Sequence, residues 1–191
     1  MSTPRFDVVA LVGSLRRESF TRKLVRAIGA DSPPSLRIEI VEIGALPLYD
    51  QDLEESPPAE WRSFRERVKR ADAVLFATPE YNRSVPGGLK NAIDVGSRPY
   101  GQSVWAKKPA AIISASPGAV GAFGANHHLR QSLVFLDMPI LQQPEAYIGG
   151  VDKLFDASGA FTNPATKQFC AQFLRAFDAW IERTLHRPEG R

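Results

Sequence analysis

Apolar runs alternate with amphipathic segments along the chain. Residues 6–13, FDVVALVG, are strand-like, apolar but for Asp7. Residues 20–30, FTRKLVRAIGA, carry Phe20, Leu24, Ala27 and Ile28 at helical spacing, and DSPPS then breaks the chain. Residues 36–43, LRIEIVEI, alternate, with Leu36, Ile38 and Ile40 on one face. That pattern predicts an edge or half-exposed strand. Residues 45–60 read as a long loop with two proline sites. Residues 60–71, EWRSFRERVKRA, form a charged amphipathic helix with Trp61, Phe64 and Val68 in register.

The alternation continues to the end. AVLFATPE (73–80) reads as a buried strand, and PGGLKNAIDVGS (86–97) as a helix with Pro86 in its permissive first turn. PAAIISASPG (109–118) is another apolar strand. NHHLRQSLVFLDM (126–138) is a helix with Leu129, Leu133 and Leu136 on one side. PILQ and EAYIGG predict a last strand interrupted at Gln143-Pro144. Residues 163–186 form a long helix carrying Phe169, Phe173, Phe177 and Trp180. Five strand–helix units with continuous apolar strands predict an α/β fold, a parallel sheet covered on both faces. No internal repeat or low-complexity segment divides the chain, so residues 1–191 read as one domain.

Charge narrows the classes of partner. Lys plus Arg is 24 against 21 for Asp plus Glu, a net charge of +3. The arginines at 62, 65, 67 and 70 alternate with acids, which describes a solvated helix face and not a nucleic-acid patch. The cluster Arg16, Arg17, Arg22, Lys23 and Arg26 suits a small phosphate. No apolar run approaches the ~18 residues of a membrane span, and the N-terminus lacks the apolar core of a signal peptide. The one cysteine, Cys170, permits no intrachain disulfide. A cytoplasmic protein is expected.

Candidate chemistry gathers where ligands bind in open α/β sheets, outside the carboxyl ends of the strands. After the first strand, GSLRRESF (13–20) opens a helix, with hydroxyls at Ser14, Ser19 and Thr21 and charge at Arg16 or Arg17. Backbone N–H groups at such a terminus attract anions. The loop has neither G-K-[ST] nor G-x-G-x-x-G, so the usual nucleotide fingerprints are absent; a capped turn with solvated arginines is the plainer alternative. After the third strand, Glu80, Tyr81 and Asn82 leave the sheet with no core role, Ser84 is placed to cap the next helix, and Gly87 and Gly88 permit close approach. A planar ring resting on Tyr81 fits, as does a purely local polar turn. After the fourth strand, Ser116, Gly118 and Gly121 either admit a ring or form a flexible turn.

These segments resemble one family. TPEYNRSVPGGLKNAID (78–94) resembles the signature loop of the NADPH-dependent FMN reductases, the flavodoxin-like group that includes quinone and chromate reductases. GSLRRESF resembles the family's phosphate loop, and LPLYDQD (46–52) and HLRQSLVFLDMP (128–139) resemble two further segments. The resemblance runs from about residue 6 to 149. It implies a doubly wound five-stranded parallel sheet in the order 2-1-3-4-5. It implies FMN, with Ser14, Arg16, Ser19, Phe20 and Thr21 at the phosphate, Pro79, Glu80, Tyr81, Asn82 and Arg83 at the isoalloxazine edge, and Ser116 closing the other side. The implied reaction is hydride transfer from NADPH or NADH through the flavin to a quinone or similar acceptor, in a homodimer or homotetramer. Three positions depart from the pattern: Val95 follows Asp94 where Trp is common, Arg83 replaces Tyr or His, and residues 122–128 lack an arginine near Gly124.

Other readings follow from the same residues. A flavodoxin-like domain also serves as a non-enzymatic electron carrier or FMN-binding module, although carriers present an acidic face and this chain is basic. Adjacent His127 and His128 point about 100° apart on a helix and cannot chelate one metal together. Ser14 lacks a G-x-S-x-G elbow, which argues against a hydrolase triad. Glu80 suits a general base, but loop contacts through its backbone are the plainer expectation. Cys170, beside Phe169 and Phe173, is expected to be a buried, inert thiol.

Overall fold

The structure, a computed structural model, describes residues 5–185. His186, expected in the tail helix, and the first four residues, part of the N-terminus read for a signal peptide, lie outside them. Five strands, β1 (Phe6–Val12), β2 (Leu36–Val41), β3 (Ala73–Thr78), β4 (Ala110–Ala115) and β5 (Ala146–Ile148), form one sheet in the order β2-β1-β3-β4-β5. Every pairing is parallel. Four α-helices connect them, α1 (Phe20–Ala30), α2 (Ala59–Arg70), α3 (Gly87–Gly96) and α4 (Phe123–Phe135), and a fifth, α5 (Pro164–Leu185), follows β5.

Side-chain alternation along the strands divides the interior into two cores. Val8, Ala10 and Val12 of β1 face α1 and α5, where they meet Leu24, Ile28, Phe173 and Phe177. Val9 and Leu11 face α2, α3 and α4, where they meet Trp61, Phe64, Leu89 and Leu129. The central β3 and β4 are buried at every residue, as strands covered on both faces must be. The edge strand β2 buries only Leu36 fully. Burying aromatics such as Phe64, Phe173 and Phe177 contributes about 2 kcal/mol each. Ile140 bridges Ala110 before the chain turns out at Gln143-Pro144 and returns as β5, the interrupted strand expected.

Three boundaries differ from expectation. α4 begins at Phe123, three residues before Asn126. Pro86 is the cap of α3 and not a first-turn residue. Ser84 does not cap that helix; its hydroxyl is bonded to His128 Nδ1 at 2.7 Å. Among the described residues no helix is long and apolar enough to cross a membrane.

Candidate functional site

The winding reverses at β1, which has β2 on one side and β3 on the other. The loops after β1, β3 and β4 converge there on a cavity of about 110 Å³. Eight of the eleven expected site residues line it: Ser14, Arg16, Phe20, Thr21, Pro79, Glu80, Tyr81 and Ser116. Ala115, Pro117 and Val151 complete the wall. Ser19, Asn82 and Arg83 do not reach it. Larger grooves of about 610 to 650 Å³ are present, one of them sharing Phe20 with this cavity. The one lined by Arg130, Met138, Trp180 and Arg183 receives no loop from a strand's carboxyl end, so size does not choose the site.

The β1 loop supplies the polar end. Gly13 N–H is still bonded to Ala77 O, at 2.8 Å, before the chain leaves the sheet. Ser14 is 4% exposed, lines the cavity, and has no side-chain hydrogen bond to another described residue. Its hydroxyl therefore has bonding capacity to offer to what enters the cavity. Ser19 caps α1, its Oγ accepting from Arg22 N at 3.1 Å and lying 3.0 Å from Thr21 Oγ1. The first turn of α1 contains no acid, so its positive end meets no carboxylate of its own. Arg16 sits over the Phe20 ring at 5.5 Å, at the rim. Buried hydroxyls, a helix N-terminus and a rim guanidinium fit a phosphate.

The β3 loop is a tight reverse turn. Tyr81 and Ser84 exchange both backbone hydrogen bonds at 3.1 Å. Between them Asn82 and Arg83 hold φ of +53° and +63°. Such a turn suits Asn and Gly; arginine is strained in it. Tyr81 is exposed at the mouth. Glu80 departs from the expectation of loop contacts through its backbone, because its carboxylate makes them. Its Oε1 accepts from Arg83 Nη1 at 2.9 Å, and its Oε2 accepts from the Ala125 N–H of α4 at 3.0 Å.

The rest of the 78–94 motif serves the scaffold. Leu89 lies in the core. Asn91 Oδ1 accepts from Tyr49 N at 2.8 Å, and Nδ2 donates to Pro47 O at 3.0 Å and Leu46 O at 3.3 Å. One buried amide thereby fixes the LPLY segment, in which Leu48 remains exposed.

The two histidines turn to separate partners. His127 Nε2 lies 2.7 Å from the Tyr147 hydroxyl, and the His127 ring packs 4.3 Å from that of Phe123. Burial, then Glu145 beside it, pushes the Tyr147 phenol up to about 12. Cys170 lies on the buried face of α5, and that burial raises its thiol to about 12, which leaves it protonated and unreactive.

The sequence reading missed Pro117 and Val151, although both follow strand ends. Val151 N–H donates to Ser116 O at 3.2 Å, which brings the segment after β5 into the wall. It also missed the partners of Glu80 and Ser84 on α4, for which no local signal exists.

Comparison with known proteins places this geometry. The family model described as NADPH-dependent FMN reductase matches residues 6–153. A quinone reductase of Pseudomonas putida is 60% identical over 178 residues, covering 93% of this chain and 95% of that protein. A 2-hydroxy-1,4-benzoquinone reductase of a Burkholderia species is 43% identical, covering 91% and 95%. Among solved structures, a flavoenzyme NAD(P)H:(acceptor) oxidoreductase of Paracoccus denitrificans superimposes with a TM-score of 0.89 at 40% identity, covering 94% of this chain and 98% of that one.

Proposed function

The chain belongs to the NADPH-dependent FMN reductase family, and from that premise we propose how its residues serve an FMN-dependent NAD(P)H:quinone oxidoreductase. The observation that carries the reading is the convergence of three strand-end loops on one cavity with a phosphate-like polar end. FMN, when bound here, would supply the redox chemistry between NAD(P)H and a quinone.

Ser14, Thr21 and the first amides of α1 hold the phosphate, and Arg16 offsets its charge. Phe20 walls the same end. The backbone of Pro79, Glu80 and Tyr81 seats the ring edge, Asn82 and Arg83 shape the turn behind it, and Ser116 closes the opposite side. Ser19 contributes by fixing the start of α1. The cavity is smaller than the ~300–1,000 Å³ pockets that enclose a drug-sized ligand. It therefore encloses only part of an FMN and leaves a face open to donor and acceptor. That openness also admits chromate, azo and nitro compounds. No nucleophile or metal is required of the chain.

The protein works as a homodimer or homotetramer in this reading. Tyr100 and Phe135 are 91% and 89% exposed, and with Tyr49 they line one groove of about 650 Å³. Apolar surface of that kind marks an interface. The single, buried cysteine accords with the cytoplasm.

The test is an absorbance spectrum of protein loaded with FMN and gel-filtered, taken before and after anaerobic NADPH, then quinone. Retained flavin should bleach with NADPH and recover with quinone. Flavin that stays oxidised with NADPH and NADH alike would indicate a carrier, and no uptake of FMN would overturn the site.

A further inference from the structure

We propose that Glu80 and His128 are positioning residues: together they clamp the β3 loop to α4 and so set the backbone that faces the flavin. The inference rests on the reading of residues 79–84 as the flavin-edge loop.

The argument starts from a helix that lacks its own cap. The first four N–H groups of any α-helix need partners outside the helical ladder. α4 is entered through Gly121 and Ala122, both left-handed at φ +58° and +62°. Ala122, at the cap position, has no side chain to offer, and the first turn has no acid. Ala125 is the third residue of α4, where a capping oxygen normally binds. Glu80 Oε2 takes that place from 45 residues away, at 3.0 Å. Its negative charge also complements the helix's positive end.

The same contact restrains the loop. Glu80 Oε1 holds Arg83 at 2.9 Å, and the Glu80 side chain is only 11% exposed. The loop lies directly on the helix because residue 124 is glycine. A Cβ there would stand 2.8 Å from Glu80 Oε2 and 3.2 Å from Arg83 O. One turn further along α4, His128 Nδ1 meets Ser84 Oγ at 2.7 Å. Glu80 and Ser84 bracket the strained pair Asn82–Arg83, and both are tied to α4. Left-handed non-glycine residues persist only where their surroundings over-determine them. Here two side-chain bonds to α4 do so.

Three variants test this: Glu80→Ala, Glu80→Gln and His128→Ala. The readouts are FMN dissociation constant by flavin fluorescence, the visible spectrum of bound flavin, and the urea midpoint of the apoprotein. Glu80→Ala should weaken FMN binding about tenfold and shift the flavin bands. Glu80→Gln keeps an acceptor for Ala125 N–H and should recover most of that loss. His128 is exposed, so His128→Ala should leave the urea midpoint unchanged yet weaken FMN about threefold. A merely structural role predicts no such separation. Should Glu80→Ala fail to fold, the other two decide. Wild-type affinity and spectrum in both Glu80→Gln and His128→Ala overturn the inference alone. A wild-type protein that takes up no FMN overturns the functional reading and this inference with it.

Discussion

The loop after β1 is held by its near neighbours, whereas the loop after β3 is held by a helix 44 and 45 residues away. In the first, Ser19 bonds Arg22 N and Thr21 Oγ1, and Arg16 rests on Phe20. Each contact spans at most four residues, so the cradle forms whenever α1 forms. In the second, Glu80 keeps one oxygen on Arg83 of its own turn, but the other side-chain bonds leave the segment. Glu80 caps α4, and Ser84 binds His128. The two loops therefore present the cofactor with different kinds of rigidity. The anion end is preorganised locally; the ring end depends on tertiary packing. A site assembled this way loses its ring contacts before its phosphate contacts when α4 loosens.

The largest expected effect breaks the local loop at its charge. Arg16→Ala removes a charge-assisted contact worth about 1.5–3 kcal/mol, so FMN affinity should fall about 10- to 150-fold. Apoprotein stability should scarcely change, because Arg16 is exposed and only stacks on Phe20. Titration of flavin fluorescence beside a urea melt reads both numbers. Equal affinity in the variant would move the phosphate away from this loop.

A smaller effect sharpens the division of labour within that loop. Ser19→Ala removes the α1 cap and should cost about 1 kcal/mol of stability. Its hydroxyl is committed to Arg22 N and Thr21 and does not line the cavity, so FMN affinity should stay within about twofold of wild type. If the variant keeps its stability and loses affinity tenfold, Ser19 binds phosphate directly and the loop's apparent self-sufficiency is wrong.

The same contrast explains what could be read in the sequence. Strands β1, β3 and β4 are almost wholly buried on both faces, so each appears as a mainly apolar run, broken in β1 only by Asp7 near its start. Helix α1 matched its expected span because Ser19 announces its start and its apolar spacing continues to Ala30. The start of α4 was hidden for the converse reason. No Ser, Thr, Asp or Asn immediately precedes Phe123; the capping oxygen comes from Glu80, and Ala-Phe-Gly-Ala reads as loop. Ser84 looked like a cap because it stands close before a helix. Its hydroxyl's bond to His128 depends on the tertiary fold, while Pro86, extended at φ −57° and ψ 141°, starts α3 unaided. Asn91 belonged to a recognisable motif, yet its partners at 46, 47 and 49 lie on another loop, so its task could not be read locally. Residues whose partners are near in sequence were legible; those bound across the fold were not.

The smallest effect probes whether the β3 turn needs its clamp. Arg83 stands at φ +63°, where an L-residue carries about 1 kcal/mol of strain. Its ion pair with Glu80 contributes little, since the arginine side chain is 80% exposed. Arg83→Gly removes the strain and the pair while adding flexibility to the unfolded chain, and these terms nearly cancel, leaving stability within about 0.5 kcal/mol of wild type. Arg83→Ala loses the pair but keeps the strain, so it should be the less stable variant by about 0.5–1 kcal/mol. Urea midpoints of the two apoproteins decide the order. If alanine is as stable as glycine, the turn carries no strain and α4 has nothing to hold down. If glycine is the more stable, the turn stores strain that the bonds to Ala125 and His128 restrain, and FMN affinity in the glycine variant should then depend less on His128 than in the wild type.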